Sequence, residues 1–338
     1  MRTITLNKPG EFSFGETETP GELAPDTALV RVHRVGICGT DLHAFRGRQP
    51  FFSYPRILGH ELGVEIIEVG ANEQGLKVGD HCAVEPYLNC GHCIACRRGK
   101  PNCCVNLQVL GVHTDGGMRE LIHVPVHKLH PSQSLSLDQL ALVETLGIGA
   151  HAVARAQLQA GEFVLVIGAG PIGLSVIQFA QLEDVKIIVL DVSESRLEFC
   201  QQQLDVEFTM QGNEDVLNRL QELTNGDLPT VVFDATGNAT SMGQAFNYVA
   251  HGGKLIFVGL VQADITFNDP NFHRRELTLF ATRNSTGADF QRIISLLENG
   301  RVSTEPWITH RATCEAMIEQ FPQWLEPDSG VIKALVEF

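Results

Sequence analysis

The sequence predicts a two-domain α/β protein, with a β-rich domain over residues 1–150 followed by a doubly wound parallel sheet. Three observations predict it. At 338 residues the chain exceeds one ordinary hydrophobic core. Its first part breaks short apolar runs with frequent glycine-rich turns and shows poor helical periodicity. From about residue 160, continuous apolar runs alternate with helical segments, the pattern of βαβ units.

In the first part, residues 29–35 alternate and break at Gly36, residues 63–69 end at Gly70, and residues 80–84 form a further short strand. In the second, the apolar strand 163–167 leads through a glycine loop into a helix over about 171–182. Residues 186–190 give the next strand, and a helix runs through Arg196 to Gln203. Strands over 230–234, 254–258 and 277–281 continue the alternation. A last helix, about 288–298, stops at Gly300, and 331–338 reads as strand again. There is no internal repeat and no low-complexity tract.

Apolar residues make up 43% and charged residues 19%, the balance of a folded globular chain. A net charge of −15 excludes the basic face that a nucleic acid requires, and with it a zinc-ribbon reader. Residues 1–10 lack the long apolar run of a secretory leader, and no stretch approaches the roughly 18 apolar residues of a membrane span. The expected location is cytoplasmic. In that reducing setting, the close spacing of some of the nine cysteines points to metal before disulfides.

Gly168-Ala-Gly170-Pro-Ile172-Gly173 fits GxGxxG directly after a buried strand and at the opening of a helix. The first glycine permits the turn, the second lets backbone approach a pyrophosphate, and the third lets the helix pack on the strand. Free N–H groups and the helix dipole then favour the phosphates. Asp191 ends the next strand, where a carboxylate accepts ribose hydroxyls and repels a 2′-phosphate, so NAD is expected over NADP. Arg196 is either a contact to the adenosine side or a surface partner of Glu194. Val258, Gly259, Leu260, Thr282 and Arg283 complete the candidate cofactor set.

Cys90-x2-Cys93-x2-Cys96, followed by Cys104 after seven residues or by its neighbour Cys103 after six, supplies four thiolates that close a tetrahedron, the form of a structural zinc site. A second, dispersed set combines Cys38, His60 and Glu61 with the later Glu144. Mixed Cys, His and carboxylate donors suit a catalytic zinc that keeps a position for substrate. Two zinc ions per chain are therefore expected.

Taken in this order, the residues resemble the zinc-containing medium-chain dehydrogenases, in the branch of sorbitol, threonine and sugar-acid dehydrogenases, over essentially the whole chain. The resemblance implies a GroES-like catalytic domain over 1–150, with a zinc lobe at 88–106, a Rossmann domain over 151–284, and a return to the catalytic domain over 285–338. It also implies Cys104 as the fourth lobe ligand. Cys38, His60 and Glu61 would hold the catalytic zinc, with Glu144 beside it, ligating directly or through water. Thr40 and His43 would relay the substrate proton, and Asp41 would orient His60. Residues 49–60, 267–276 and Arg283-Asn284 look most like the hexonate 5-dehydrogenases that act on L-galactonate or L-gulonate. A polyol or threonine dehydrogenase is the alternative within this chemistry, and a non-catalytic NAD- or zinc-binding sensor the alternative outside it. For the substrate pocket, Phe51, Arg56, His273 and Arg283 are the candidates, arginine offering a carboxylate a two-pronged fork. A homodimer or homotetramer is implied, pairing sheet edges near 254–260 and 277–281. Two positions depart from the family pattern: Glu144-Thr145-Leu146 replaces Glu-Pro-Leu, and Gly63-Val64 shifts a glycine by one place.

Overall fold

The computed structural model describes all residues except 50, 51, 213 and 214. It comprises two compact units, Met1–Thr145 with Ser285–Phe338, and Leu146–Asn284. The sequence reading set the first boundary at 150/151. In the structure it falls at 145/146, inside a continuous helix, where no turn signal marks it.

The first unit holds β1 (Arg2–Lys8), β2 (Glu11–Glu16), β3 (Thr27–Gly36), β4 (Glu61–Val69), β5 (His81–Val84), β6 (Tyr87–Leu88), β7 (Gln108–Val109), β8 (Leu121–Pro125) and β9 (Leu129–Pro131). The second holds β10 (Phe163–Ile167), β11 (Lys186–Asp191), β12 (Phe208–Gln211), β13 (Val231–Asp234), β14 (Lys254–Phe257) and β15 (Thr278–Ala281), and the returning chain adds β16 (Ile308–Thr313) and β17 (Lys333–Glu337) to the first. The main sheet of the first unit runs β16-β17-β3-β4-β5-β9, with β8 also on β3. Its inward residues, among them Val30, Val32, Val64 and Ile66, pack with Phe321 and Trp324. The period-2 alternation of β3 and β4 is what buries one face of the sheet.

Helices α1 (Gly39–Phe45), α2 (Ile94–Arg97), α3 (Leu137–Ala141) and α4 (Val143–Ala156) follow in chain order. None of the first three carries enough turns to show a helical period, and sequence reading missed all four. The start of α3 lies directly on Gly63: a Cβ there would meet the Leu137 carbonyl oxygen at 2.2 Å. The displaced glycine therefore has its own steric reason. Thr145 is buried in the first turn of α4, a part of a helix where proline is also tolerated.

In the second unit, β12-β11-β10-β13-β14-β15 form one sheet, every neighbouring pair parallel. α5 (Pro171–Gln181), α6 (Glu194–Leu204), α7 (Val216–Leu223), α8 (Ala239–Ala245) and α9 (Asp269–Arg274) connect its strands. Apolar residues on both faces of β10, β11 and β13 explain their unbroken runs. α10 (Gly287–Glu298) and α11 (Cys314–Gln320) belong to the first unit. Among the described residues, no helix is long and apolar enough to cross a membrane.

One buried charge cluster lies away from the candidate site. Lys128 Nζ donates to Glu85 Oε1 at 2.5 Å, and His130 Nε2 lies 3.3 Å from Glu85 Oε2. Burial opposes the Glu85 charge, but these partners outweigh it and hold the carboxyl below its usual range. A depressed carboxylate contributes stability above its unfolded pKa and loses it as pH falls through the folded value. Glu85→Gln leaves the Lys128 ammonium buried without its counter-charge. It is expected to cost about 3 kcal/mol at neutral pH, read from denaturant unfolding, with the gap to wild type closing in acid.

Candidate active site and metal centres

Cys38 caps α1 at the end of β3, and Asp41, one turn on, reaches back so that the Cys38 amide donates to its Oδ2 at 2.9 Å. This cap holds the Cys38 backbone at the start of α1. His60 directly precedes β4 and Glu61 opens it, opposite Gly36 in the β3–β4 ladder. A Cβ on Gly36 would overlap Glu61 Oε2 at 2.1 Å, so the glycine makes the space the carboxylate occupies. Gly59, with φ of +96°, turns the chain tightly against Val35 and Met118.

These elements bring the donor atoms of Cys38, His60 and Glu61 within 4.8 Å of one another. His60 and Glu61 are buried, and Cys38 is half-buried. Asp41 Oδ1 and His60 Nδ1 face each other at 3.9 Å, and neither has a hydrogen-bond partner among the described residues. At that separation Asp41 is an electrostatic companion of His60 without a formed hydrogen bond. Burial raises the Asp41 carboxyl above its usual range.

Two further side chains complete the site, and sequence reading passed over both. Lys333 Nζ, on β17, donates to Glu61 Oε1 and Oε2, each at 2.7 Å, and to the Ile37 carbonyl at 3.2 Å. Burial alone would lower its pKa, yet the charges of Glu61 and Cys38 raise it, so the ammonium stays charged. A lysine inside the apolar run 331–338 was the available signal. Tyr87 donates its hydroxyl proton to Glu144 Oε1, in the first turn of α4. Burial and the Glu144 charge raise the Tyr87 pKa well above its usual value, which keeps the phenol a donor.

Thr40 and His43 lie three residues apart on α1, spacing that places them on one face. Thr40 is half-buried and His43 exposed. Partial burial, then the charges of Arg46 and Arg48, lower the His43 pKa.

The lobe cysteines form the other cluster. Sγ–Sγ distances are 3.4 Å for Cys90–Cys104, 3.5 Å for Cys93–Cys96 and 3.8 Å for Cys93–Cys104. A tetrahedron with Zn–S bonds of ~2.3 Å has edges of ~3.8 Å, so the four thiols fit a zinc ion. Backbone amides, foremost that of Cys96, pull the Cys93 thiol down to about 6, which suits a thiolate ligand. Cys103 is exposed and stands outside the group.

In the second unit the GxGxxG loop joins β10 to α5. Gly168 has φ of +96°, and a Cβ on Gly173 would overlap the Gly168 carbonyl at 1.8 Å. Gly170 caps α5, with Pro171 and Ile172 in its first turn and the Arg196 guanidinium close over it. Asp191 accepts the Ala169 and Ser193 amides at 2.6 and 2.8 Å. This ties the acidic residue to the loop. Val258 and Gly259 follow β14, and a Cβ on Gly259 would lie 2.4 Å from the Gly237 nitrogen. Leu260 is exposed, and Thr282 and Arg283 follow β15.

The substrate candidates are less tightly defined. Arg56 is paired with Asp115 Oδ1 at 3.2 Å and Ser53 Oγ at 2.7 Å. His273 and Arg283 are exposed in the second unit, His273 on the wall of an open depression of about 640 Å³. Phe51 lies outside the described residues.

A GroES-like sheet bearing a Cys–His–Glu cluster and a four-cysteine lobe, with a Rossmann-type unit, defines a zinc-dependent alcohol dehydrogenase. The chain belongs to that family: residues 24–134 match the alcohol dehydrogenase GroES-like domain and residues 171–299 the zinc-binding dehydrogenase domain. It is 38% identical to L-galactonate-5-dehydrogenase of Escherichia coli K12, over 100% of this chain and 99% of that protein. Its fold is similar to that of the alcohol dehydrogenase rspB of E. coli CFT073 complexed with NADH, with a TM-score of 0.93, 29% identity, and coverage of 100% and 99%. It is also similar to a zinc-binding dehydrogenase of Sinorhizobium meliloti 1021 bound to NADP, with a TM-score of 0.91, 25% identity, and coverage of 100% and 99%.

Proposed function

We propose that the protein oxidises a secondary hydroxyl of a hexonate, L-galactonate or L-gulonate, with NAD as hydride acceptor. The observation that carries the reading is the convergence of Cys38, His60 and Glu61 at one buried point. The relative named L-galactonate-5-dehydrogenase supports the substrate class. Asp191, at the end of β11, supports NAD.

Cys38, His60 and Glu61 hold the catalytic zinc in this reading, with Glu144 beside it, and Cys90, Cys93, Cys96 and Cys104 hold the structural one. When bound, the catalytic zinc supplies Lewis acidity, which on water is worth about nine pKa units, or ~12 kcal/mol. The chain supplies the rest. Thr40 Oγ1 accepts the substrate's hydroxyl proton and passes it towards His43, whose lowered pKa keeps its imidazole neutral and ready to receive it. The glycine loop and the start of α5 hold the pyrophosphate, and Asp191 takes the ribose hydroxyls. An arginine or histidine among Arg56, His273 and Arg283 meets the hexonate carboxylate. Of the two edges expected near 254–260 and 277–281, β14 is paired on both sides by β13 and β15, so the exposed edge of β15, with Leu279, is the one that offers a sheet surface for a dimer or tetramer.

The test is kcat/KM for L-galactonate, L-gulonate, sorbitol and threonine, each with NAD and with NADP. A hexonate is expected to exceed the uncharged polyol by at least ~10-fold, the value of one ~1.4 kcal/mol contact, and NAD to be preferred. Equal rates on acid and polyol would overturn the substrate assignment, and a preference for NADP the cofactor assignment.

A further inference from the structure

The cysteine lobe and the Cys38 cluster are connected by one side chain. Tyr87 lies on β6, three residues before Cys90. Its strand pairs with β7 at the base of the lobe, Tyr87 opposite Val109 and Leu88 opposite Gln108. The Tyr87 ring is 2% exposed, and its hydroxyl donates to Glu144 Oε1. Glu144 is itself 5% exposed and lies within range of the charges of His60, Glu61 and Lys333. The two glutamates of the site are thus held in different ways. Both Glu61 oxygens are engaged by the Lys333 ammonium, and Glu144 is anchored at one oxygen by a neutral phenol.

We infer that Tyr87 is a positioning residue for the catalytic metal site: carried at the root of the cysteine lobe, its hydroxyl fixes Glu144 near His60 and Glu61. The inference rests on the reading of Cys38, His60 and Glu61 as a metal site. A glutamate has three rotatable bonds, and a buried carboxylate that loses a donor turns towards the nearest cation. Without the phenol, Glu144 is free to swing at the metal or at Lys333, and either movement changes the charge and geometry that a bound ion meets. Residues that orient metal ligands typically contribute 10- to 100-fold in metal affinity.

Tyr87→Phe removes one oxygen atom and keeps the buried ring, so the fold of β6 is preserved. Zinc affinity of the Cys38 site is measured by competition with a chromophoric chelator on wild type, Tyr87→Phe, Glu144→Ala and the double variant. The visible absorption of the cobalt-substituted site is recorded for each. The expected result is a loss of about tenfold or more in affinity for Tyr87→Phe, with a shifted cobalt spectrum. The double variant is expected to match Glu144→Ala alone, because Tyr87 acts through that carboxylate. Wild-type affinity and an unchanged cobalt spectrum in Tyr87→Phe would overturn the inference, whatever the change in melting temperature. So would an additive double variant. Wild-type protein that binds zinc only at the cysteine lobe would overturn the metal-site reading itself.

Discussion

Cys38→Ala is expected to abolish dehydrogenation while leaving NADH binding intact. The thiol is one of three donors converging at the buried site, and the Asp41 cap on α1 holds its backbone. With alanine there, only His60 and Glu61 remain of the three donors that converge, and a catalytic zinc ordinarily has three protein ligands. The ~12 kcal/mol that such an ion offers to deprotonation is then lost, far more than the remaining side chains can replace. The groups proposed to bind the dinucleotide, the Gly168–Gly173 loop and Asp191, lie in the second unit, which Cys38 does not build. Fluorescence titration with NADH reads binding, and steady-state NADH formation reads turnover. Turnover within tenfold of wild type would contradict the assignment.

Lys333→Met carries the second large effect, this time on stability. Lys333 and Glu61 are 2% and 1% exposed, and the ammonium bonds both carboxylate oxygens. Deleting one member of a buried pair strands the other in a medium that solvates it poorly. The expected cost is about 3–5 kcal/mol, which for a unit of this size lowers the melting temperature by about 10 °C. Chelator-treated protein gives the cleanest reading, because there the ammonium is the cation bonded to Glu61. A drop of less than about 2 °C would show that Glu61 finds another partner.

Lys333 also shows where sequence reading stops. Its position in an apolar strand hinted at a buried charge, but its partner lies 272 residues away, and only the β17–β3–β4 register brings the two together. Tyr87 gave no signal at all, since nothing in a tyrosine ahead of a cysteine run specifies a glutamate on α4. By contrast, GxGxxG and the lobe cysteines were legible because each is built from near neighbours, where the chain's own geometry fixes the chemistry. Cys38, His60 and Glu61 fell between these cases. Their residue types suggested a metal, and the pairing of Gly36 with Glu61 brings them together in the fold. Helix α4 escaped notice for a different reason. It is apolar on most sides, and Gly149 lies so close to Ser175 that a Cβ would approach its Oγ to 2.2 Å. Helices packed this deeply lose the amphipathic stripe on which periodicity depends.

A metal held by Cys38, His60 and Glu61, distinct from one held by the cysteine lobe, would carry the oxidation. Zinc content per chain, measured by elemental analysis alongside NADH formation from L-galactonate, tests it most directly when wild type is compared with Cys38→Ala. Two zinc ions per chain and turnover are expected in wild type, and one zinc ion without turnover in the variant. Equal zinc content in the two proteins, or turnover that survives loss of the second ion, would contradict it.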